Sequence, residues 1–249
     1  MKKGIIIIIS IVGLYLLLAI FGIDFIDGIF NKDIYIDNNV RWTYKNNQWT
    51  TKNYNRSSII KLRNFKVYKP NTFEYVGKPN LKFQDNTWYI KEKGKFNQYG
   101  NYLIAFRGNG IKLYDYKSEY EIKDKQVINS ILKEANINGY NELNLENKIV
   151  IDLDNDGREE VIYAISNAYS ESIESIRFSV IAVYRNGKYE IIKSLIDNEN
   201  EVLDVFAIMD VDGDKKLEII VVSEGFSDSG NTYALYALKN GKYNKLIET

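Results

Sequence analysis

From Gly4 to Ile23 the chain runs twenty residues without a charge, and beyond that stretch its apolar residues settle into short alternating runs. Coiled as a helix rising about 1.5 Å per residue, the first stretch would cover the roughly 30 Å hydrocarbon core of a bilayer. Lys2 and Lys3 precede it and Asp24 and Asp27 follow it. The positive-inside rule then predicts a cytoplasmic tail at 1–3, a transmembrane anchor at 4–23 and a linker at 24–35, with the remainder outside the cell. A cleaved signal peptide has a shorter apolar core, about 7 to 15 residues, and small residues at A-x-A spacing before the cut. Ala19 and Gly22 lack that spacing, so an uncleaved anchor is expected.

After the anchor, one stretch has helical periodicity: Val127, Ile128, Ile131, Leu132 and Ala135, following Asp124 as an N-cap and preceding Gly139 as a stop. This predicts one short helix near 125–136 inside a helical connection at 119–144. The rest reads as β-strand. Four turns share one grammar, with Asn, Asp or Gly at the centre and large apolar or aromatic residues five apart: Tyr44 and Trp49, Phe83 and Trp88, Tyr184 and Tyr189, Leu238 and Tyr243. Asn-Gly suits a two-residue hairpin because both central residues take positive φ. Residues 36–118 are expected to be β-rich, either supplying further propeller blades or forming a separate β domain.

Residues 145–249 contain a repeat. IVIDLDNDGREEVIYAIS (149–166) and FAIMDVDGDKKLEIIVVS (206–223) match, with Asp152 falling on Asp210 and Asn186-Gly187 on Asn240-Gly241. Each unit reads as strand, acidic loop, strand, polar connection, strand, tight turn, strand. Four antiparallel strands in so short a span is the format of a propeller blade. The fold class expected is mainly β, with antiparallel, propeller-like blades behind an N-terminal transmembrane helix.

Composition removes much of catalysis. With no cysteine and no histidine, the chain has no disulfide, no thiolate nucleophile, no imidazole base and no sulfur-liganded zinc. Its 33 basic and 33 acidic residues balance, but unevenly along the chain. Between Asn38 and Phe73 stand Arg41, Lys45, Lys52, Arg56, Lys61, Arg63, Lys66 and Lys69 and no acid, whereas Asn141 to Gly230 holds 20 acidic against 8 basic residues. The basic stretch is either a solvated strand face or a surface lying over anionic headgroups or wall polymer.

The acids are organised. Asp152, Asp154, Asp156 and Glu160 hold positions 1, 3, 5 and 9 of the first loop, and Asp210, Asp212, Asp214 and Glu218 hold the same positions of the second. A hard cation such as calcium takes six to eight oxygens, and alternate residues of a tight loop can aim carboxylates at one centre. The backbone carbonyl at position 7, on Arg158 or Lys216, would add another. Two carboxylates about 5 Å apart repel by roughly 3 kcal/mol at an effective dielectric of 20, so a neutralising ion is expected. An EF-hand needs a glutamate at position 12, where Tyr163 and Val221 stand, so the loop is the shorter kind between strands. Lys215 occupies position 6 of the second loop, where the first has Gly157.

DLDNDGREEVIYA and DVDGDKKLEIIVV resemble the calcium loops of FG-GAP and VCBS repeats, the β-propeller blades also found in integrin alpha chains. The resemblance covers about 145–249 and implies that the two acidic quartets ligate Ca2+. Departures are Glu at position 9 in place of the usual Asp, and two clear repeats only. It further implies a surface binding, adhesion or scaffold role and names no substrate.

The leading expectation is therefore a non-enzymatic, membrane-anchored, extracellular module of a bacterial cell surface, stabilised by calcium, with a cell-wall polymer, glycan or protein as partner. A glycan hydrolase using paired carboxylates is the enzymatic alternative, since that chemistry needs neither His nor Cys. An accessory or sensor subunit, with Gly4, Ser10, Gly13, Ala19 and Gly22 letting another helix approach the anchor, is a third. Nucleic acid is not an expected partner, given the outward orientation and balanced charge.

Overall fold

The computed structural model describes residues 32–36, 40–53, 60–62, 66–68, 75–77, 81–84, 87–92, 95–99, 104–107, 112–113, 124–137, 143–167, 177–197, 201–225 and 230–249. The expected anchor at 4–23 lies outside them. Among the described residues no helix is long and apolar enough to cross a membrane. The chain divides into two compact units, one drawn from Met1–Val67 and Gly77–Asn109, the other from Tyr68–Val76 and Gly110–Thr249. The fold is mainly β, built of antiparallel sheets with one short helix, and no sheet closes on itself among the described residues.

The first eleven strands are β1 (Lys32–Ile36), β2 (Val40–Lys45), β3 (Gln48–Asn53), β4 (Ile60–Leu62), β5 (Lys66–Tyr68), β6 (Tyr75–Gly77), β7 (Leu81–Gln84), β8 (Thr87–Glu92), β9 (Lys95–Tyr99), β10 (Ile104–Arg107) and β11 (Lys112–Leu113). They supply a sheet in the order β3-β2-β1-β10-β5-β6 and another in the order β4-β7-β8-β9. Two of the four expected hairpins lie here: Tyr44 pairs with Trp49 and Phe83 with Trp88. At the first, Asn46 and Asn47 both take positive φ, 52° and 62°, so two asparagines make a turn that usually needs glycine. The Tyr44 and Trp49 rings meet beyond it at 5.1 Å. Arg41, one of the basic run, is used internally: its guanidinium donates to Oδ1 of buried Asp33 at 2.7 and 2.9 Å, and the Thr43 hydroxyl donates to the same atom at 2.8 Å.

In the second unit, α1 (Asp124–Glu134) is followed by β12 (Asn144–Ile151), β13 (Glu160–Ser166), β14 (Phe178–Arg185), β15 (Lys188–Ile196), β16 (Glu201–Asp210), β17 (Glu218–Gly225), β18 (Thr232–Lys239) and β19 (Lys242–Glu248). β12 to β15 form a four-stranded meander, and β16 to β19 form a second meander to which β11 adds an edge. The repeat read from the sequence is a repeat of structure. In each copy the register slips once between the third and fourth strands, at Ile181/Ala182 and at Leu235/Tyr236, the same place in both. The Asn-Gly turns have φ of 50° and 77° in one copy and 54° and 78° in the other, with Tyr184 facing Tyr189 and Leu238 facing Tyr243.

Strand alternation sends side chains to opposite faces, and in the first meander both faces are apolar. Ile149, Ile162, Ala164, Ile181 and Val183 pack against Leu203, Val205, Ile219, Val221, Ala234 and Tyr236 of the second meander. Tyr163, Ile165, Phe178, Val180 and Ala182 pack against Ile128, Ile131, Leu132 and Ala135 of α1. The unit is thus three layers, helix on sheet on sheet. Polar bonds fasten the two sheets: the Leu203 N–H donates to the Ser179 hydroxyl at 2.9 Å and Lys193 pairs with Glu248 at 2.8 Å.

The helix has its predicted apolar face and lies within two residues of its predicted span, 125–136. Asp124 is buried, accepting from Lys148 Nζ at 2.8 Å and from the Tyr163 hydroxyl at 2.8 Å, so its carboxylate ties the helix start to the sheet beneath. The chain leaves the helix at Asn136, before Gly139. Asn136 takes φ 60°, the Ile137 N–H donates to the Leu132 carbonyl and the Asn136 N–H to the Lys133 carbonyl. This bond pair is a Schellman cap, with its usual apolar contact between Ile137 and Leu132 in one buried cluster.

Candidate metal centre

Each acidic loop links the first two strands of its repeat. The register holds to the loop's edge, with Ile151 opposite Glu160 and Met209 opposite Glu218. A carboxylate at the first residue of β13 or β17 is thereby brought back beside the last residues of the preceding strand. The backbone between them turns twice through left-handed conformation, at positions 4 and 6 in both copies: Asn155 (φ 59°) and Gly157 (φ 87°), Gly213 (φ 88°) and Lys215 (φ 71°). The expected sharp turn at position 6 is therefore present in both loops. Lys215 makes it without glycine, in a conformation disfavoured for a residue with a Cβ by about 1–2 kcal/mol.

Three acids of each quartet converge. Asp152, Asp154 and Glu160 each offer a carboxylate oxygen within 4.8 Å of the others, and so do Asp210, Asp212 and Glu218. Backbone donors orient several of these carboxylates. Asp152 accepts from the N–H groups of Asp156 at 3.2 Å and Gly157 at 3.0 Å, and Asp210 from those of Gly213 at 2.6 Å and Lys215 at 3.2 Å. The position-9 glutamates are buried and bridge the strand ends, Glu160 accepting from the Leu153 N–H at 2.8 Å and Glu218 from the Val211 N–H at 2.7 Å. Asp156 and Asp214 stand apart from these trios and are exposed, each accepting from the N–H of position 7, Arg158 or Lys216, at 2.8 Å.

The electrostatics follow from the crowding. Burial, and then the neighbouring Asp154, Asp156 and Asp152, push the Glu160 carboxyl up, against the pull of the Leu153 N–H. Glu218 is pushed up to about 8 by burial and by Asp212, Asp214 and Asp210, against the pull of the Val211 N–H. Such a group is either protonated or paired with positive charge.

The donor set fits a hard divalent cation. It is all oxygen, three carboxylates converge, and at the first loop Asp154 Oδ1 is buried with no hydrogen-bond partner among the described residues. A buried anionic oxygen lacking a donor is what a cation would satisfy. The first loop also has a neighbour that sequence reading missed: Arg185, one residue before the Asn186-Gly187 turn, reaches Asp154 Oδ2 at 3.3 Å and donates to the Gly241 carbonyl at 2.7 Å. Arg185 so joins the first loop to the hairpin of the second repeat. The loops also bond to one another, the Leu217 N–H donating to the Leu153 carbonyl at 2.7 Å. No spacing along the chain signals the Arg185–Gly241 or the Leu217–Leu153 bond, because both cross between repeats.

No protein family, no curated protein and no solved structure matches the chain.

Proposed function

We propose that residues 145–249 are a pair of calcium-stabilised, FG-GAP/VCBS-like blades, the outward-facing part of a membrane-anchored binding or structural module. Asp152, Asp154 and Glu160 hold one ion and Asp210, Asp212 and Glu218 the other, while the position-7 carbonyls of Arg158 and Lys216 and the carboxylates of Asp156 and Asp214 stand at the rim. The role is non-catalytic: the ion fixes the link between strands, and the partner, a wall polymer, glycan or protein, is met elsewhere on the module. The apolar stretch at 4–23 supplies the anchor.

The observation that supports this reading most is the duplication of the trio. Two loops of different sequence, one with glycine and one with lysine at position 6, adopt the same pair of left-handed turns and bring the same three positions within 4.8 Å. Face-to-face packing of two four-stranded meanders is also how blades meet.

Extracellular modules bind calcium with dissociation constants near 10⁻⁴ to 10⁻³ M, so about 2 mM calcium would stabilise each site by roughly 0.6 to 1.8 kcal/mol. Melting the full-length chain in detergent with calcium and with chelator tests this. The melting temperature is expected to rise with calcium, and Asp152→Asn with Asp154→Asn to remove the first loop's share. Superimposable curves with and without chelator would reject the reading.

A further inference from the structure

The cation reading leaves one buried group beside the first loop without a role. Tyr243 is the second residue of β19, just past the Asn240-Gly241 turn of the second repeat. It is 8% exposed, and its ring packs in the cluster that contains Leu153, the residue between Asp152 and Asp154. Its backbone N–H donates to Glu190 Oε1 at 2.8 Å, which pins β19 against β15 at this point. Its hydroxyl is buried and has no hydrogen-bond partner. The hairpin that carries Tyr243 is tied to the first loop through Arg185, which reaches Asp154 Oδ2 at 3.3 Å and donates to the Gly241 carbonyl at 2.7 Å.

Among the described residues, Asp154 Oδ1 and the Tyr243 hydroxyl are both buried and unpartnered. They come from different repeats. A buried hydroxyl loses its bonds to water and regains nothing unless a partner enters. A cation between Asp152, Asp154 and Glu160 would supply one, since a phenol oxygen can face a hard ion or an ion-bound water as a neutral donor atom. Among the described residues the second loop has no counterpart. The residue equivalent to Tyr243 in the first repeat is Tyr189, which packs on the helix side of the first meander and interacts with Glu134 of α1.

We propose, resting on the cation reading above, that the first acidic loop is a composite site whose ion is held by Asp152, Asp154 and Glu160 of one repeat and by the Tyr243 hydroxyl of the other. The ion then does more than stiffen a loop: it fastens the last hairpin of the chain to the first repeat, beside Arg185.

The test uses calcium alone, titrated calorimetrically into the full-length chain in detergent, with the second loop silenced by Asp210→Asn and Asp212→Asn. Tyr243→Phe removes one oxygen and keeps the ring. It is expected to weaken calcium binding about five-fold, the scale of one lost hydrogen-bond-type contact. In chelator the same change should leave the melting temperature unchanged or raise it, because it deletes an unsatisfied hydroxyl. Tyr189→Phe should leave binding unaltered. Terbium luminescence excited through tyrosine should fall with Tyr243→Phe and not with Tyr189→Phe. Equal affinity in wild type and Tyr243→Phe would overturn this inference while the cation reading stood, as would a drop in melting temperature in chelator that accounts for the weaker binding. No binding to the chain before or after silencing the second loop would overturn both.

Discussion

The Leu217 N–H donates to the Leu153 carbonyl across 2.7 Å, so the two acidic loops are bonded to each other through their backbones. Leu153 lies between two members of the first trio, and Leu217 immediately precedes Glu218 of the second. An ion that fixes one loop therefore fixes the carbonyl or the N–H that the other loop needs. Calcium binding to the second loop is expected to weaken about five-fold in Asp152→Asn with Asp154→Asn, the coupling of one backbone hydrogen bond. Calorimetry resolves it, and a second-loop isotherm unchanged by the first-loop substitutions would show that the loops act independently.

Lys215 carries a removable strain. Its φ of 71° is what Gly157 supplies without a Cβ at the matching position. Lys215→Gly should stabilise the chain by about 0.5–1 kcal/mol, the relief of left-handed strain offset in part by the extra freedom of glycine in the unfolded chain. The reciprocal change, Gly157→Ala, should destabilise; open space around its Cβ position leaves backbone conformation as the cause. Urea unfolding of the two variants measures both, and shifts of the same sign would refute the argument.

Glu218 makes stability depend on pH in a direction opposite to that of most carboxylates. Its folded value near 8 lies above the ordinary 4.5, so between these limits the folded chain binds more proton than the unfolded one. Without calcium, Glu218 stabilises fully below pH 4.5, and that contribution is lost as pH rises through about 8. Relative to Glu218→Gln, the wild type should lose stability steadily across this window. Calcium favours the ionised form, so its stabilising effect should grow over the same range. Parallel pH profiles for wild type and Glu218→Gln in chelator would contradict this.

The Asp124–Lys148 pair joins α1 to β12 with side chains only 4–5% exposed. Lys148→Met leaves a buried carboxylate short of its cation and should cost about 3–5 kcal/mol. Adding Asp124→Asn should recover much of that loss, since the uncompensated charge is then gone. Denaturant midpoints of the single and double variants test it, and simple additivity of the two losses would argue that the residues act separately.

Local chemistry made much of this fold legible. Asn186-Gly187 and Asn240-Gly241 announce two-residue hairpins, and the pairings Tyr184 with Tyr189 and Leu238 with Tyr243 follow from them. Spacing likewise placed Glu160 and Glu218 at the starts of their strands, beside the aspartates they join. Where a residue can serve two purposes, sequence is a weaker guide. Asp124 has the form of an N-cap and is a buried ion-pair partner, and Asn136 ends the helix where Gly139 had the better intrinsic claim. Asp156 and Asp214 share the alternate spacing of the quartets, yet they accept from the N–H of position 7 and stand outside the trios. The bonds of Arg185 to Gly241 and of Tyr243 to Glu190 were illegible because they are set by how one repeat lies on the other.

The first meander, covered by α1 on one face and by the second meander on the other, buries apolar side chains on both. A nascent chain that has emerged only as far as β15 therefore carries a naked greasy slab, and its rescue arrives with the last fifty residues. Truncations that stop short of them should be found in aggregates or on chaperones.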